Sequence, residues 1–429
     1  MQRYIGILGI LVLLLIAFLL SSNRRRISLR VVICGLGLQF GLAILLLAFP
    51  PAVKVFDKVA QLVQSVIACA DPGSEFIFGK LATTDGPWGT LFAFHVLPII
   101  IFFASLMAIL YHAGIMQRVI AVLAWCLRRS LGITGSEAMA MAANVFIGQT
   151  EAPLCVKPLI PRMTQSQLAT LMVGGFATIA GSVLGAYVGM LGGDDPATRV
   201  LFAKHLITAS VMSAPAAIVI AKIMVPETET PPIEQVSELT LQRDTRNILD
   251  AAAVGATDGL KLALNVAAML VAFVALLALV NYPLEALSEW KPVADWRIEC
   301  GIPPLSLQQL LGWLFKPLAW IMSIPWEECT SFGTLLGEKL IATEFVAYSS
   351  LTRIMHGSDP QLSARSAQIA AYALCGFANF PSIAIQIGGL SGIAPSRRAD
   401  FATLGLKTML GGAMASWMTA CIASLFMAE

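Results

Sequence analysis

The chain alternates between long apolar runs and short polar or basic segments. A membrane helix needs about 20 consecutive apolar residues with few charges. Eight runs that lack Asp, Glu, Lys and Arg meet or approach this length: 4–23, 31–53, 86–117, 163–193, 205–221, 262–284, 366–396 and 408–428. The pattern predicts an all-α polytopic membrane protein with eight transmembrane helices. Residues 54–80 and 111–130 mix basic and apolar positions, which is typical of interfacial helices.

Two further apolar segments, 134–163 and 305–352, are interrupted by polar and helix-breaking residues. In the first, Gly148–Glu151 and then Pro153 separate two halves that are each too short to cross a bilayer. In the second, Ala342–Phe345 holds the acidic residue of the interruption. We predict two opposed re-entrant hairpins with polar tips, the first inserted from the inside and the second from the outside.

The two halves of the chain repeat one another. Thr150-Glu151 is followed by a span that contains Gly175–Thr178, and Thr343-Glu344 is followed by one that contains Gly376–Asn379. Each repeat therefore consists of a hairpin, a long span and a last span, and the two repeats lie in opposite orientations in the membrane. Such inverted repeats are typical of secondary transporters, whose binding site lies near the midplane where broken helices meet. Both long spans hold breaking residues, including Pro381 in the second, and their freed carbonyls are suitable ligands for a hard cation.

Composition and charge narrow the class of protein. Hydrophobic residues make up 57% of the chain, charged residues 13%, and the mean hydropathy is +0.78. Soluble domains carry about 25% charged residues, so the composition argues against a cytosolic enzyme. The net charge of +2 argues against a nucleic-acid binder. The sequence also lacks the common catalytic and nucleotide-binding motifs, so we expect no enzymatic activity and no cofactor.

The distribution of Lys and Arg predicts the orientation. The first loop, with Arg24–Arg26 and Arg30, and the segments 118–162, 222–261 and 397–407 hold 16 of the 28 basic residues. Because basic residues favour the cytoplasmic side, we expect an inner-membrane protein with both termini outside.

The order of spans, hairpins and repeats divides the chain into four parts. We predict a scaffold over 1–130, a first transport repeat over 131–224, a cytoplasmic connector and scaffold span over 225–304, and a second transport repeat over 305–429.

Glu151 and Glu344 carry the candidate chemistry. A carboxylate at membrane depth costs about 2.5–3.5 kcal/mol on insertion scales, so it needs a substrate donor, a cation or a proton. The alternative is a structural glutamate that caps a half-helix or pairs with Lys157 or Lys339. Other polar side chains cluster at the breaks, where hydrogen bonds between helices are the alternative role: Asn144, Gln149, Thr150, Asn379 and Ser382. The eight cysteines are scattered, and pairing of Cys300 with Cys329 stays open.

These segments together resemble the concentrative nucleoside transporter family. The resemblance covers nearly the whole chain and is strongest in AANVFIGQTEAPLCVKPLI at 142–160, GFATIAGSVLGAYV at 175–188, GATDGLKLALNVAAMLVAF at 255–273, LIATEFVAY at 340–348 and CGFANFPSIAIQIGGLSGIAPSRR at 375–398. It implies a homotrimer in the lipid bilayer whose transport domain moves past a scaffold and imports nucleosides with sodium or protons. Thr178 and Pro381 stand where the family pattern has serine.

The resemblance also assigns residues. It implies a nucleobase site at Gln149, Thr150, Glu151 and Val183, and a ribose site at Glu344, Asn379 and Ser382 with Phe377 beside it. It implies sodium ligands at Asn144, the Ile147 carbonyl, Thr178 and the Ile179 carbonyl. The Gln-Thr-Glu tip resembles sodium-coupled members more than proton-coupled ones. Proton coupling, a carrier for another small polar solute and a channel are the alternatives.

Overall fold

The computed structural model describes residues 2–82, 91–193, 195–231, 245–299, 304–357 and 361–427. Within these ranges the chain forms helices and no strands, which confirms the all-α prediction. The helices are α1 (Ile5–Leu19), α2 (Leu29–Ala43), α3 (Pro50–Ala68), α4 (Asp71–Phe78), α5 (Phe92–His112), α6 (Ile115–Leu131), α7 (Gly135–Asn144), α8 (Gln165–Ala177), α9 (Gly181–Gly192), α10 (Pro196–Met224), α11 (Ile248–Glu289), α12 (Lys291–Glu299), α13 (Leu307–Ile321), α14 (Cys329–Ile341), α15 (Glu344–His356), α16 (Ala364–Ala373), α17 (Phe380–Ile393) and α18 (Arg398–Ser424). Cys300 lies outside the described residues, and Cys329 is a buried thiol.

The described helices include four that are long and apolar enough to cross a membrane. They are Leu29–Ala48, in which a π-helical turn extends α2, then α8–α9 taken together, α10 and α11. Val96–His112 and Ile115–Leu131 add a fifth if this pair, bent by 79°, counts as one span. The apolar helices α1 and α17 are shorter, with 15 and 14 residues. The count of eight spans therefore stays a prediction.

The longest helix begins earlier than the sequence suggested. The apolar run predicts a span over 262–284, but residues 248–261 are already the first turns of the 42-residue α11. The Asn247 side chain accepts a hydrogen bond from the Asp250 amide at 2.9 Å and caps this helix. At 1.5 Å per residue α11 is roughly 60 Å long, about twice the thickness of a bilayer core.

Burial separates central from outer helices. In the most apolar stretches of α8–α9 and α10, 83% and 89% of residues are buried, against 22% for α2 and 17% for α11. Large apolar side chains such as Val271, Leu279 and Tyr282 cover the outer face of α11. Such a surface needs lipid or another subunit against it. The four-part domain division stays a prediction.

Two central helices are interrupted, and their interruptions meet. Residues 178–180 separate α8 from α9, and residues 374–379 separate α16 from α17. Gly376 has φ +103°, which only glycine adopts readily. A Cβ at Gly376 would lie 2.6 Å from the carbonyl oxygen of Phe176. The second interruption therefore packs directly on the end of α8, and its glycine permits this approach.

The two predicted hairpins differ in their second arms. We expected two half-helices in the first, but only α7 is an α-helix, and the return consists of short 3-10 turns at Ala152–Val156 and Ile160–Arg162. Pro153, Pro158 and Pro161 explain this, since each removes a backbone donor that an α-helix would use. In the second hairpin both arms are helices, with α14 and α15 joined by Ala342 and Thr343. The side from which each hairpin is inserted stays a prediction.

Candidate functional site

The carboxylate of Glu344 lies at the N-terminus of α15, where the helix dipole favours a negative charge. It is only 3% exposed. The Tyr187 hydroxyl donates to Oε1 at 2.8 Å, and the Asn379 amide donates to Oε2 at 2.9 Å. An ionised carboxylate can accept about four hydrogen bonds. Two protein donors therefore hold Glu344 in place and leave it capacity for further hydroxyl donors.

Asn379 connects this carboxylate to the start of α17. Its Oδ1 accepts a hydrogen bond from the Ser382 amide at 2.8 Å, which caps the helix, while its Nδ2 binds Glu344. Pro381 lies in the first turn of α17, where a missing amide proton is tolerated. It therefore begins a helix and does not break one. The structure thus brings Glu344, Asn379 and Ser382 together, and Phe377 lies half-buried in the adjacent interruption.

Tyr187 is a hydrogen-bond partner of Glu344 that the sequence pattern did not reveal. It is fully buried on α9, one turn after Val183 and on the same helix face. Its ring packs against Phe345 and Tyr348, with centroids 4.8 and 4.6 Å away. The available signal was a single phenolic hydroxyl within an apolar, glycine-rich run, since a buried hydroxyl needs a hydrogen-bond partner.

The tip of the first hairpin lies between α8 and α17. A Cβ at Gly175 would lie 2.9 Å from Gln149 Cβ, and one at Gly389 would lie 3.0 Å from Thr150 Cγ2. Gln149 is buried, and its Oε1 has no hydrogen-bond partner among the described residues. A buried carbonyl oxygen without a partner is costly. Gln149 is therefore suited to accept a hydrogen bond from a ligand.

Glu151 lies in a different environment from Glu344. Its side chain is exposed to a cavity of about 910 Å³ between the first hairpin, α5, α9 and α11. The lining includes Ile147 from the hairpin, Ala180 beside α9 and Asp258 from α11. Glu344 is not among the residues that line this cavity. The two glutamates therefore do not share one open space in this conformation.

The predicted sodium ligands lie where the hairpin tip contacts the first interruption. The Gly181 amide donates to the Phe146 carbonyl at 2.8 Å and so joins the tip to the start of α9. Asn144 is 1% exposed, and within the described ranges neither its Oδ1 nor its Nδ2 has a partner. Thr178 is buried and donates to the Gly174 carbonyl at 2.9 Å. Amide, hydroxyl and carbonyl oxygens are the donors that hard cations prefer, so these residues fit sodium.

The structural alternative for Glu344 was an ion pair with Lys339. Instead, the Lys339 ammonium donates to the carbonyls of Ala373 and Cys375 at 2.9 and 3.0 Å. The hydrogen bonds of Glu344 come from neutral groups.

Comparison with known proteins gives consistent matches along the chain. Three family models match it: "Na+ dependent nucleoside transporter N-terminus" over residues 8–81, "Nucleoside recognition" over 93–194 and "Na+ dependent nucleoside transporter C-terminus" over 205–424. An uncharacterized transporter of Haemophilus influenzae is 45% identical, with 98% of this chain and 97% of that protein covered. Solute carrier family 28 member 3 of mouse is 40% identical, and sodium/nucleoside cotransporter 1 of rat is 38% identical. Each covers 99% of this chain, which spans 59% and 64% of those mammalian proteins.

Solved structures of a related protein, CNTnw, match the fold. Its inward-facing, substrate-bound state superposes with a TM-score of 0.90 at 41% identity, and covers 99% of this chain and 98% of that one. A double variant of CNTnw in an outward-facing state gives a TM-score of 0.89 at the same identity and coverage.

Proposed function

Because the chain belongs to the Na+-dependent nucleoside transporter family, we propose that it is a secondary active transporter that imports nucleosides by symport with sodium. It is a membrane transporter and not an enzyme. The observation that carries the proposal is the enclosed carboxylate of Glu344, which two neutral donors fix and which keeps free acceptor capacity. A group of this kind suits a neutral polar solute with vicinal hydroxyls, because each hydroxyl can donate to one carboxylate oxygen.

In this proposal Glu344 receives the ribose hydroxyls, and Asn379 and Ser382 complete the sugar site. The nucleobase lies against Gln149, Thr150 and Glu151 at the first tip. An amide side chain both donates and accepts, so Gln149 can pair with the edge of a base. The buried Val183 and the half-buried Phe377 complete the binding set.

Sodium binds at Asn144, Thr178 and the carbonyls of Ile147 and Ile179. These residues join the first tip to the first interruption, so an ion held there orders the part of the site that receives the base. One sodium ion that enters down about 100 mV gains about 2.3 kcal/mol. A tenfold concentration ratio adds about 1.4 kcal/mol. Together they support accumulation of roughly several hundredfold.

We further propose that the two repeats move as one transport domain past the outer helices of a homotrimer in the inner membrane. The contrast between buried central helices and the apolar outer face of α11 supports this division. The structures of CNTnw include inward-facing, intermediate and outward-facing states.

Uptake of uridine into proteoliposomes, with sodium and pH gradients imposed separately, tests the function. We expect saturable accumulation that requires the sodium gradient and persists without a pH gradient. Uptake driven by the pH gradient alone would instead indicate proton coupling. If free uracil or ribose competes with uridine uptake as effectively as unlabelled uridine does, the substrate is another solute. If uridine only equilibrates across the membrane and its uptake does not saturate, the protein is a channel.

A further inference from the structure

The interrupted helices α8 and α16 both end inside the protein. The last carbonyls of a helix have no partner within the helix and carry a partial negative charge equivalent to about half an electron. A helix end that is buried in this way therefore favours a cation beside it. The two ends meet at Gly376 and Phe176, yet the structure supplies them with different partners.

At the end of α16 the partner is a charged side chain. Lys339 is 0% exposed, and its Nζ donates to the carbonyls of Ala373 and Cys375 at 2.9 and 3.0 Å. No carboxylate of the described residues lies within ion-pair distance of this ammonium. The Cys375 carbonyl also accepts a hydrogen bond from the Ser416 hydroxyl at 2.6 Å. Lys339 is thus coordinated by backbone oxygens of an interrupted helix, as a metal cation would be.

At the end of α8 the partners are neutral. The Thr178 hydroxyl donates to the Gly174 carbonyl at 2.9 Å, and further inside the helix the Gln386 amide donates to the Met172 carbonyl at 3.1 Å. Asn144, in the hairpin that packs here, is buried without a hydrogen-bond partner in the described part of the chain. Since no charged side chain of the described residues donates to this helix end, a cation from outside the chain is suited to it.

We infer that the Lys339 ammonium is a permanent, covalently attached cation of the second repeat, in the role that sodium plays in the first. The inference rests on the proposed function and deepens it. Because the second interruption always holds its cation, the site around Glu344 stays formed whether or not sodium is present. Only the first tip then depends on the ion, and each protomer takes up a single sodium ion per nucleoside.

Sodium binding to the purified wild-type protein gives the first test. Equilibrium binding of radioactive sodium in detergent should saturate at one ion per protomer. Two saturable ions per protomer would overturn the inference, and this result does not depend on any variant being folded.

The second test removes the fixed charge with Lys339→Met, which keeps a long apolar stem. Sodium should then fill both interruptions: the folded variant binds two ions, and the Hill coefficient of sodium for uridine binding rises toward two. The sodium concentration that gives half-maximal uridine binding should rise roughly tenfold, because a mobile ion must now replace the fixed charge at the buried helix end. The control is Lys291→Met, which removes an exposed lysine of α12 and should leave these values unchanged.

Two results for a folded Lys339→Met protein contradict the inference. One is uridine affinity and sodium binding equal to wild type, and the other is loss of uridine binding that no sodium concentration restores. Failure of the proposed function has a different signature, because the wild-type protein would then bind no sodium or bind uridine independently of it.

Discussion

The two hairpins carry the same Thr-Glu signature, but the structure places them in unlike surroundings. At the second tip Glu344 and Asn379 are bonded to one another and to their neighbours. At the first tip, the described part of the chain supplies no hydrogen-bond partner to buried atoms of Gln149 and Asn144, and Glu151 faces a cavity. A shared motif therefore produces one preformed half of the proposed site, and one half whose hydrogen bonds a ligand would complete.

The local backbone agrees with this contrast. Two α-helices flank the second tip, whereas the first tip returns through proline-rich 3-10 turns. The base of the first hairpin is nevertheless fixed. Lys222 of α10 contacts Glu137 at 2.5 Å and Ser166 at 3.0 Å, which joins α7, α8 and α10. In the first hairpin, only the tip is therefore left to change conformation when a ligand binds.

Loss of the Glu344 charge should have the largest effect on transport. Glu344→Gln replaces a charged acceptor with an amide that cannot accept two strong hydroxyl bonds. Each charge-assisted bond contributes about 1.5–3 kcal/mol, so uridine uptake should fall by roughly a hundredfold or more. Proteoliposome uptake is the measurement, and the exposed Glu75 of α4 provides a matched control in Glu75→Gln. Wild-type uptake in a folded Glu344→Gln protein would remove this residue from the site.

Removal of Lys222 should chiefly reduce stability. Lys222→Met leaves Glu137 buried without its cation, and breaking such a pair typically costs about 3–5 kcal/mol. We expect a clear drop in the midpoint of thermal unfolding in detergent, which Glu137→Gln in the same protein should partly restore. If the single and double variants melt like wild type, the base of the hairpin is not held by this pair.

The Asn144 amide should control the response to sodium. Asn144→Ala removes an oxygen ligand and should raise the half-saturating sodium concentration roughly tenfold, the loss of about 1.4 kcal/mol. Uridine affinity at saturating sodium should change much less, because the sugar site of the second hairpin is preformed. An equal loss of uridine affinity at every sodium concentration would contradict the proposal that sodium acts at the first hairpin and the sugar binds at the second.

The smallest expected effect concerns Tyr187. Tyr187→Phe removes one of two donors to Glu344 and keeps the ring packing. Because Tyr187 acts on the substrate only through this carboxylate, only part of the about 1.5–3 kcal/mol of a bond to a charged group, about 0.5–1.5 kcal/mol, should be lost from uridine binding. The KM for uridine should then rise roughly two- to tenfold. Tyr282→Phe, at an exposed position on α11, is the control. An unchanged KM would show that Asn379 alone orients the carboxylate.

Local composition was sufficient to predict much of the fold. The all-helical class and the positions of both interruptions could be predicted, because apolar runs, glycines and prolines act within a few residues. The prolines in the second arm of the first hairpin were equally visible in the sequence, yet their effect on helix type was underestimated. The number of membrane spans depends on more than run length, since α1 and α17 are shorter than a span and α11 is longer.

The sequence by itself determined that two acidic tips and two interrupted helices exist, because residue type and spacing decide where a helix can continue. Only the tertiary structure decided which partner each polar group has. Tyr187 reaches Glu344 across 157 residues, and Lys339 binds the end of α16 and not the glutamate five residues away. Hydrogen-bond partners are chosen by proximity in the folded chain, so distant segments that pack together decide them and local spacing does not.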